Sequence, residues 1–283
     1  MRIEIIKCLQ DNYSYLLIDD TKNNGCVVDP GEAAPIIKYV ERNNMNIEII
    51  KCLRDNYSYL IIDKASESAC VVDPSEAKPI IDFVENNKIN LKYILNTHHH
   101  YDHVGGNTEL KKKYDAKVVG FKGDKERIPE IDILVENNQV WKQENFEAMI
   151  YHIPGHTSGH IAYHFYNEKK IFTGDTLFSL GCGRIFEGTY EQMFNSLNKL
   201  KKLPKNTEIY CGHEYTLQNS NFCIANDPKN LKLKNKIFEI KKRLKNGLPT
   251  IPTNLGDEIE CNIFLKAKDV KSFSKLRDLK DNF

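Results

Sequence analysis

The strongest constraint on the fold and chemistry of this chain is a histidine-rich stretch at residues 97–106, Thr-His-His-His-Tyr-Asp-His-Val-Gly-Gly. Four of the nine histidines lie here within six positions. His98 and His100 point the same way if the chain is extended, whereas Asp102 and His103 are adjacent and must diverge. Imidazole and carboxylate groups are common ligands of zinc, iron and manganese. The spacing therefore predicts two neighbouring sets of metal ligands.

A polar turn without a metal is the alternative explanation of this stretch. Burying so many titratable groups together is costly unless they are paired or bind a metal. The stretch also follows an apolar segment, residues 91–96, which has the composition of a strand. We therefore prefer the metal interpretation.

Length and composition are typical of a soluble globular protein with one large domain, or with one large domain and a small appendage. The chain has 283 residues, 41% of them hydrophobic and 28% charged, and its net charge of +1 gives no argument for a nucleic-acid or membrane partner. No window reaches 18 apolar residues, and the amino terminus lacks a signal-peptide core. We expect a cytoplasmic protein, either a monomer or a weak dimer.

The eight cysteines contain no C-x-x-C pair, so a thiolate zinc site of the usual spacing is not expected. Four of them fall at equivalent positions of an internal repeat, described next. We expect reduced thiols in the core, as is usual for cytosolic proteins.

The amino-terminal third is an internal duplication. Residues 3–46 recur at residues 47–90 with about two-thirds identity, and both copies contain Ile-Glu-Ile-Ile-Lys-Cys-Leu, Asp-Asn-Tyr-Ser-Tyr-Leu and Cys-Val-Val-Asp-Pro. β-Branched runs, breaks at Asp-Asn and Asp-Pro, and apolar residues at helical spacing predict three strands and a helix in each copy. In the second copy these elements are predicted at residues 47–53, 57–63, 69–73 and 76–87.

The second copy runs directly into the strand before the histidine cluster, so it is expected to be part of the catalytic domain. The first copy is then a surplus unit. Four alternatives stay open for it: extra edge strands, exchange with the second copy, a loosely attached unit, or an artefact of the gene model.

The remaining sequence predicts two sheets packed face to face with helices outside. Further strands are predicted at residues 91–96, 117–120, 139–142, 146–153, 160–166, 171–173 and 208–210, and helices at residues 108–114 and 190–201. From residue 217 the pattern is helical without a convincing strand. Residues 229–283 carry 14 Lys and Arg against 7 Asp and Glu. The predicted divisions are residues 1–46, 47–216 and 217–283.

Three short motifs add further candidate ligands. Pro-Gly-His-Thr-Ser-Gly-His at residues 154–160 presents His156, Thr-Gly-Asp-Thr at residues 173–176 presents Asp175, and Cys-Gly-His-Glu at residues 211–214 presents His213. Each follows a predicted strand and contains a glycine, which permits a tight turn. Each motif alone is weak evidence, because a histidine near a turn is more often structural.

Taken together and in this order, these motifs and residues 97–106 resemble the metallo-β-lactamase superfamily. The resemblance implies an α/β fold, an αββα sandwich, here with a duplicated βββα unit before it and an all-helical domain after it. It implies that His98, His100 and His156 hold one divalent metal ion, that Asp102, His103 and His213 hold a second, and that Asp175 bridges them.

The resemblance also implies the chemistry of this centre. A metal-bridged hydroxide is the nucleophile, next to Asp102 and Asp175, because a bound metal lowers the pKa of water to about 7. Zinc is the expected metal, with iron and manganese as alternatives. His160 and Asp73, whose duplicate is Asp29, are expected to orient ligands. We expect His99, His152 and His164 to be structural.

Within the superfamily the chain is similar to the glyoxalase II, or hydroxyacylglutathione hydrolase, family. The similarity rests on Asp-Asn-Tyr at residues 55–57, Gly-Asp-Thr-Leu-Phe at 174–178, Gly-Cys-Gly-Arg at 181–184, Cys-Gly-His-Glu-Tyr at 211–215 and Arg-Asp-Leu-Lys-Asp-Asn-Phe at 277–283. It implies hydrolysis of S-(D-lactoyl)glutathione to D-lactate and glutathione, the second step of methylglyoxal detoxification.

The same resemblance assigns the substrate contacts. Arg277 and Lys280, three residues apart on one helix face, would bind the glycine carboxylate of glutathione, with Arg184, Phe186 and Tyr215 completing the pocket. The family generally has lysine at position 184 and tyrosine at position 186. Arginine keeps the positive charge, whereas phenylalanine removes a hydroxyl contact.

Three other functions stay open from the sequence. A persulfide dioxygenase of the same superfamily needs one iron site only. A metal-binding protein inactivated by the duplicated unit is a second alternative. An RNA-processing nuclease of this fold is disfavoured by the neutral charge and by the lack of a recognisable RNA-binding appendage.

Overall fold

The structure, a computed structural model, describes residues 2–19, 24–42, 45–64 and 66–283. Its strands are β1 Arg2–Cys8, β2 Asn12–Asp19, β3 Asn24–Val28, β4 Met45–Cys52, β5 Asn56–Asp63, β6 Ser68–Val72, β7 Asn90–Leu95, β8 Lys117–Phe121, β9 Ile131–Val135, β10 Val140–Gln143, β11 Phe146–His152, β12 Ile161–Phe165, β13 Lys170–Gly174, β14 Leu177–Phe178, β15 Gly181–Cys182, β16 Glu208–Cys211 and β17 Thr253–Asn254.

The helices in the described residues are α1 Ala33–Arg42, α2 Ala77–Asn86, α3 Tyr101–Val104, α4 Asn107–Tyr114, α5 Tyr190–Leu200, α6 Thr216–Asn226, α7 Leu231–Lys245, α8 Leu255–Cys261 and α9 Val270–Asp281. One turn of 3-10 helix covers Lys122–Asp124. None of these helices combines the length and the apolar composition needed to cross a membrane.

Two six-stranded sheets form the centre of the molecule. The first has the order β4-β5-β6-β7-β8-β9 and the second the order β10-β11-β12-β13-β16-β17. Large apolar side chains fill the space between the sheets: the Tyr59 ring lies 5.4 Å from Phe172 and 5.3 Å from Tyr210. The contact buries apolar side chains from both sheets, as expected for packed layers.

Helices cover both outer faces of this sandwich. On the first sheet, Ile80 and Val84 of α2 and Leu110 of α4 belong to one buried cluster. On the second sheet, Met193 and Leu197 of α5 share a buried cluster with residues of the carboxyl-terminal helices. The αββα sandwich followed by carboxyl-terminal helices is therefore confirmed.

The two repeats adopt the same strand pairing. Ile3 pairs with Leu17 in the first repeat, and Ile47 pairs with Ile61 at the equivalent positions of the second. Strands β1, β2 and β3 form a three-stranded sheet of their own, whereas β4, β5 and β6 are half of the first large sheet. The predicted βββα unit is thus confirmed in both copies.

Three short elements escaped the sequence analysis. Helix α3, strand β9 and the β14–β15 hairpin contain between two and five residues each, too few to show a clear periodicity. Strand β17 corrects the prediction that residues after 217 form helices only, because Thr253 and Asn254 pair with Ile209 and Glu208 at the edge of the second sheet.

The expectation that all cysteines lie in the core was wrong for one of them. All eight are free thiols, and seven are buried, but Cys26 on β3 is exposed. Its counterpart Cys70 is fully buried between the two large sheets. No equivalent covering of Cys26 is present among the described residues.

A buried carboxylate ties the carboxyl-terminal part to the rest of the fold. Glu258 on α8 is fully buried and accepts hydrogen bonds from Leu180 N at 2.7 Å and Thr253 Oγ1 at 2.6 Å. It also lies 3.1 Å from Lys236 Nζ on α7. One side chain therefore joins α7, α8, β17 and the β14–β15 hairpin.

We expect Glu258→Ala to lower the free energy of unfolding by about 3 kcal/mol, because it leaves several buried donors without an acceptor. Denaturant unfolding followed by circular dichroism measures this change. The matched control is Glu260→Ala on the same helix, whose pair with Lys232 is half exposed. That control should cost less than about 1 kcal/mol; equal effects would contradict the role of Glu258.

Candidate metal centre

The candidate ligands lie where strands of both sheets end. Residues 98–103 follow β7, Asp175 directly follows β13, and His213 follows β16 after one glycine. His156 lies in the loop from β11 to β12. Because these strand ends share one edge of the sandwich, loops that are far apart in sequence meet there.

The structure brings six of the predicted ligands together in two groups, which are the groups that the family resemblance implies. His98, His100 and His156 place one ligand nitrogen each within 4.8 Å of one another. The ligand atoms of Asp102, His103 and His213 satisfy the same limit. Each group could hold one metal ion.

Asp175 lies between the two groups. Its Oδ2 atom is 3.5 Å from His156 Nε2 in the first group and 3.3 Å from His213 Nε2 in the second. Its Oδ1 atom is 3.4 Å from His103 Nε2. This position is suited to a carboxylate that bridges two cations.

The donor atoms fit divalent metal ions. His98 Nε2, His103 Nε2 and Asp175 Oδ1 are buried and have no hydrogen-bond partner among the described residues. Buried polar atoms are normally satisfied, so three buried atoms without a hydrogen-bond partner in one cluster fit a binding site for cations. Nitrogen and carboxylate ligands of this kind suit zinc, iron or manganese.

Burial keeps the imidazoles of the first group neutral. It lowers the pKa of His98 well below its usual value, and it lowers the pKa of His100 to about 4, helped by His156. The pKa of His156 is lowered by burial as well. Neutral imidazoles have a free lone pair and are ready to bind a metal.

In the second group, in contrast, the pKa values of the imidazoles are raised. Burial lowers the pKa of His103, but the charge of Asp175 raises it, so the pKa lies well above its usual value. The same balance raises the pKa of His213. Burial raises the pKa of Asp175, but His213 and His103 hold it well below its usual range.

Glycines are required where the chain passes these ligands. A Cβ atom on Gly212 would lie 2.4 Å from Asp175 Oδ1 and 2.6 Å from His103 Cε1. A Cβ atom on Gly183 would lie 1.9 Å from the carbonyl oxygen of Asp175. The glycines of the two motifs thus allow backbone to pass directly beside the ligands.

The two residues predicted to orient ligands both touch the centre. Asp73 Oδ2 lies 3.0 Å from His103 Nδ1 and accepts from Thr97 Oγ1 at 2.6 Å. His160 Nε2 accepts from the backbone N–H of Asp175 at 3.1 Å, and its ring stacks on His98.

Asp55 and Asn56 belong to one of the motifs that carry the family resemblance, but the sequence assigns them no role. In the structure Asp55 Oδ1 lies 2.9 Å from His213 Nδ1. The Asn56 side chain donates to both the backbone oxygen and Oδ2 of Asp102, each at 3.0 Å. The available signal was that this Asp-Asn pair occurs in both repeats.

The other histidines lie outside the ligand groups. His99 pairs with Asp124 and Glu187 at 3.2 and 3.1 Å, although its position beside His100 would also allow a group of His99, His100 and Glu187. His152 stacks on Phe121, and His164 on β12 is buried.

A cavity of about 530 Å³ extends from this centre to the carboxyl-terminal helix. It is lined by His100, Asp102, His156, Asp175 and His213 and by the five predicted substrate contacts Arg184, Phe186, Tyr215, Arg277 and Lys280. The structure therefore brings all of these side chains to one cavity.

The cationic end of the cavity is organised around α9. Arg277 is buried, donates to Cys182 O at 2.8 Å and pairs with Asp281 at 2.8 Å. Arg184 is largely exposed and lies 3.6 Å from the same carboxylate. Burial and the charge of Arg277 lower the pKa of Lys280.

Two aromatic residues line the cavity near the ligands. The Tyr215 ring stacks on the imidazole of His213 with the ring centroids 4.7 Å apart. Phe186 is 63% exposed and lies edge-on to His100 and His156. Both can contact a molecule bound beside the two groups.

Comparison with known proteins is consistent with this geometry. Residues 53–213 match the metallo-beta-lactamase superfamily, and residues 214–283 match the hydroxyacylglutathione hydrolase C-terminus. A hydroxyacylglutathione hydrolase of Pelagibacter ubique (strain HTCC1062) is 67% identical over 283 residues, covering all of both chains. Another, from Bradyrhizobium sp. (strain ORS 278), is 44% identical and covers 97% of this chain and 91% of its own.

Among solved structures, ETHE1 from Myxococcus xanthus superposes with a TM-score of 0.64 at 23% identity, covering 83% of this chain and 90% of its own. At this identity the likeness concerns the fold alone. The sequence identities and the two matched regions identify this chain as a member of the hydroxyacylglutathione hydrolase family within the metallo-β-lactamase superfamily.

Proposed function

We propose that this protein hydrolyses the thioester of S-(D-lactoyl)glutathione, releasing D-lactate and glutathione as the second step of methylglyoxal detoxification. The observation that carries the proposal is the single cavity joining the two ligand groups to the cationic end at Arg277 and Lys280. A reactive centre and an anion-binding end in one cavity suit a substrate with a thioester and remote carboxylates.

His98, His100 and His156 would hold one divalent ion, and Asp102, His103 and His213 a second, with Asp175 between them. Zinc is the metal we propose, with iron or manganese accepted by the same donors. When bound, such ions provide a hydroxide nucleophile near neutral pH and polarise the carbonyl under attack.

The chain's own residues position this chemistry. Asn56 holds Asp102 through two hydrogen bonds, and Asp55 fixes the ring of His213. Asp73 does the same for His103. Partners of this kind set the ring orientation and the free nitrogen of each ligand, so the donors are preorganised before substrate enters.

The far end of the cavity would bind the glutathione part. Guanidinium and ammonium groups recognise carboxylates through charge-assisted hydrogen bonds, and Arg184, Arg277 and Lys280 provide three such groups near Asp281. Tyr215 and Phe186 would contact the thiol region. Phenylalanine at position 186 offers ring contact but no hydroxyl hydrogen bond.

The alternatives are less well supported. A dioxygenase does not account for the match of residues 214–283 to the hydroxyacylglutathione hydrolase C-terminus. Occlusion by the first repeat is not supported either, because the residues lining the cavity lie between positions 100 and 283.

We keep the division into residues 1–46, 47–216 and 217–283 as a proposal, and we propose a cytoplasmic monomer or weak dimer. The seven buried free thiols suit a reducing compartment.

The thioester assay tests the proposed function. Purified protein with S-(D-lactoyl)glutathione should release thiol, measured with a chromogenic thiol reagent, and chelation should abolish the release. Asp175→Asn should lower kcat/KM by at least about 100-fold, since loss of an outer partner alone can cost 10- to 100-fold. The same substitution at the exposed Asp115 is the control. Thiol release that survives metal removal would refute the proposal.

The substrate end is tested by Lys280→Ala. We expect KM to rise about tenfold or more with kcat within about twofold, because a charge-assisted contact remote from the reaction is lost. Lys275→Ala, on the same helix but outside the cavity, should change neither constant. A fall in kcat at unchanged KM would contradict the assignment.

Acidification should remove the two metals in a fixed order. Protons compete with the metal for His103 and His213, whose pKa values are raised in the metal-free centre, but hardly compete for His100, whose pKa is about 4. Metal content after dialysis should fall from two toward one per chain as the pH is lowered, and the remaining ion should be lost only at still lower pH. Loss of both ions at the same pH would contradict this order. In His103→Ala, loss of the ion of the first group while the second group keeps its ion would contradict it as well.

A further inference from the structure

The two repeats are equivalent in local detail as well as in strand pairing. In the first repeat Ser14 Oγ donates to Asp29 O at 2.8 Å and accepts from the backbone N–H two residues after that aspartate. Ser58 Oγ makes the same two bonds around Asp73 in the second repeat. Both aspartates also have positive φ angles, 51° and 48°. The loop that carries Asp73 to the metal centre is therefore already built in the first repeat.

The faces that the repeats present to a second sheet are almost identical. In the second repeat this face packs against the second large sheet, with Tyr57, Tyr59, Ile61, Cys70 and Val72 in the shared core. Its full set of positions is Ile47, Ile49, Lys51, Tyr57, Tyr59, Ile61, Cys70 and Val72, and the corresponding set is Ile3, Ile5, Lys7, Tyr13, Tyr15, Leu17, Cys26 and Val28. Only Leu17 differs in type.

Burial of these equivalent faces differs sharply. Tyr57 and Tyr59 are 3% and 2% exposed, whereas Tyr13 and Tyr15 are 53% and 39% exposed. Ile3 and Ile5 are more than half exposed too. The first repeat thus has a face shaped for the second large sheet but has no such sheet against it.

The first repeat also carries the polar groups that the second provides to the centre. Asp55, Asn56 and Asp73 bond to His213, Asp102 and His103. Their counterparts, at the same positions of an equivalently folded unit, are Asp11, Asn12 and Asp29. The first repeat therefore has a counterpart for each of these three supporting groups.

We propose that the two repeats compete for one position: the first repeat can replace the second against the second large sheet, where Asp11, Asn12 and Asp29 become the positioning residues for the metal ligands. The displaced second repeat then presents the open face. This inference goes beyond the proposed function, since it depends on the sandwich and not on the substrate.

The connections permit this exchange within one chain. Met45, Asp63, Ser68 and Asn90 lie side by side across four adjacent strands. At about 4.8 Å per strand, the two ends of the second repeat are about 14 Å apart. Releasing two or three residues at each end spans this distance, since an extended residue covers about 3.3 Å. The second repeat can therefore leave as an inserted loop, whose closure cost grows only slowly with length.

Native thiols test the exchange without any substitution. Cys70 is fully buried in the inter-sheet core, and replacement would expose it while covering Cys26. Cys211 lies in the same core on the opposite sheet, and Cys52 lies under α2, inside the repeat itself. Short maleimide pulses on the intact protein, mapped by peptide mass spectrometry, report each thiol separately.

We expect Cys70 to be labelled at least about tenfold faster than Cys211 and Cys52, because replacement opens the repeat's face but keeps both controls covered. The fraction of Cys70 that becomes accessible to labelling should equal the fraction of Cys26 that becomes protected. This fraction should not depend on protein concentration. Equal labelling of Cys70 and Cys211 would mean that the two sheets simply open, which would overturn the proposal. Protection of both thiols, or labelling of Cys70 that depends on protein concentration, would overturn it as well.

Asp73→Ala sharpens the test, since it removes the hydrogen bonds to Thr97 and His103 from the second repeat only. If the first repeat replaces the second, Asp73→Ala should show more labelling of Cys70 and should keep a metal content close to that of the unmodified protein. The double variant Asp29→Ala/Asp73→Ala should bind metal with an affinity at least about tenfold lower. Equal metal loss in the single and double variants would overturn the role of Asp29.

Discussion

The architecture of this protein depends on the contacts between the buried Asp175 carboxylate and three imidazoles. It lies within 3.3 to 3.5 Å of His103, His156 and His213, which come from loops on both sheets. Burying the negative charge of a carboxylate is tolerated only where nearby positive charge compensates it. The packing of the two sheets thus serves to bring their loop edges together, and glycines such as Gly212 allow the required approach.

The carboxyl-terminal helices extend this centre into a binding cavity. They do so through a few buried polar contacts: Glu258 holds the β14–β15 hairpin, and Arg277 donates to Cys182 at the end of that hairpin. The same arginine lines the cavity. Stability of the hairpin and placement of the cationic end are therefore linked, and a change at Arg277 affects both packing and substrate binding. Lys280 separates these roles better because its side chain has fewer polar partners.

The duplicated amino-terminal unit shows how tertiary context changes equivalent sequence. Both repeats form the same strands and the same serine-centred loop. In one repeat the inter-sheet face is covered and its aspartates contact the candidate metal ligands His213 and His103, and in the other the face is exposed. The local structure follows from the residues themselves, whereas burial and function follow from the second sheet.

The sequence by itself determined the family and the longer strands and helices of the catalytic unit, and it predicted two groups of metal ligands. Strand alternation and the spacing within each motif are local properties of the sequence, whereas the assignment of ligands from separate motifs to the two groups came from the family resemblance. Tertiary structure alone decided that Asp55 and Asn56 support His213 and Asp102, that β17 joins the second sheet, and that Arg277 is buried. These contacts join residues that lie 44 to 158 positions apart, and no pattern within one segment specifies which distant segment will face it.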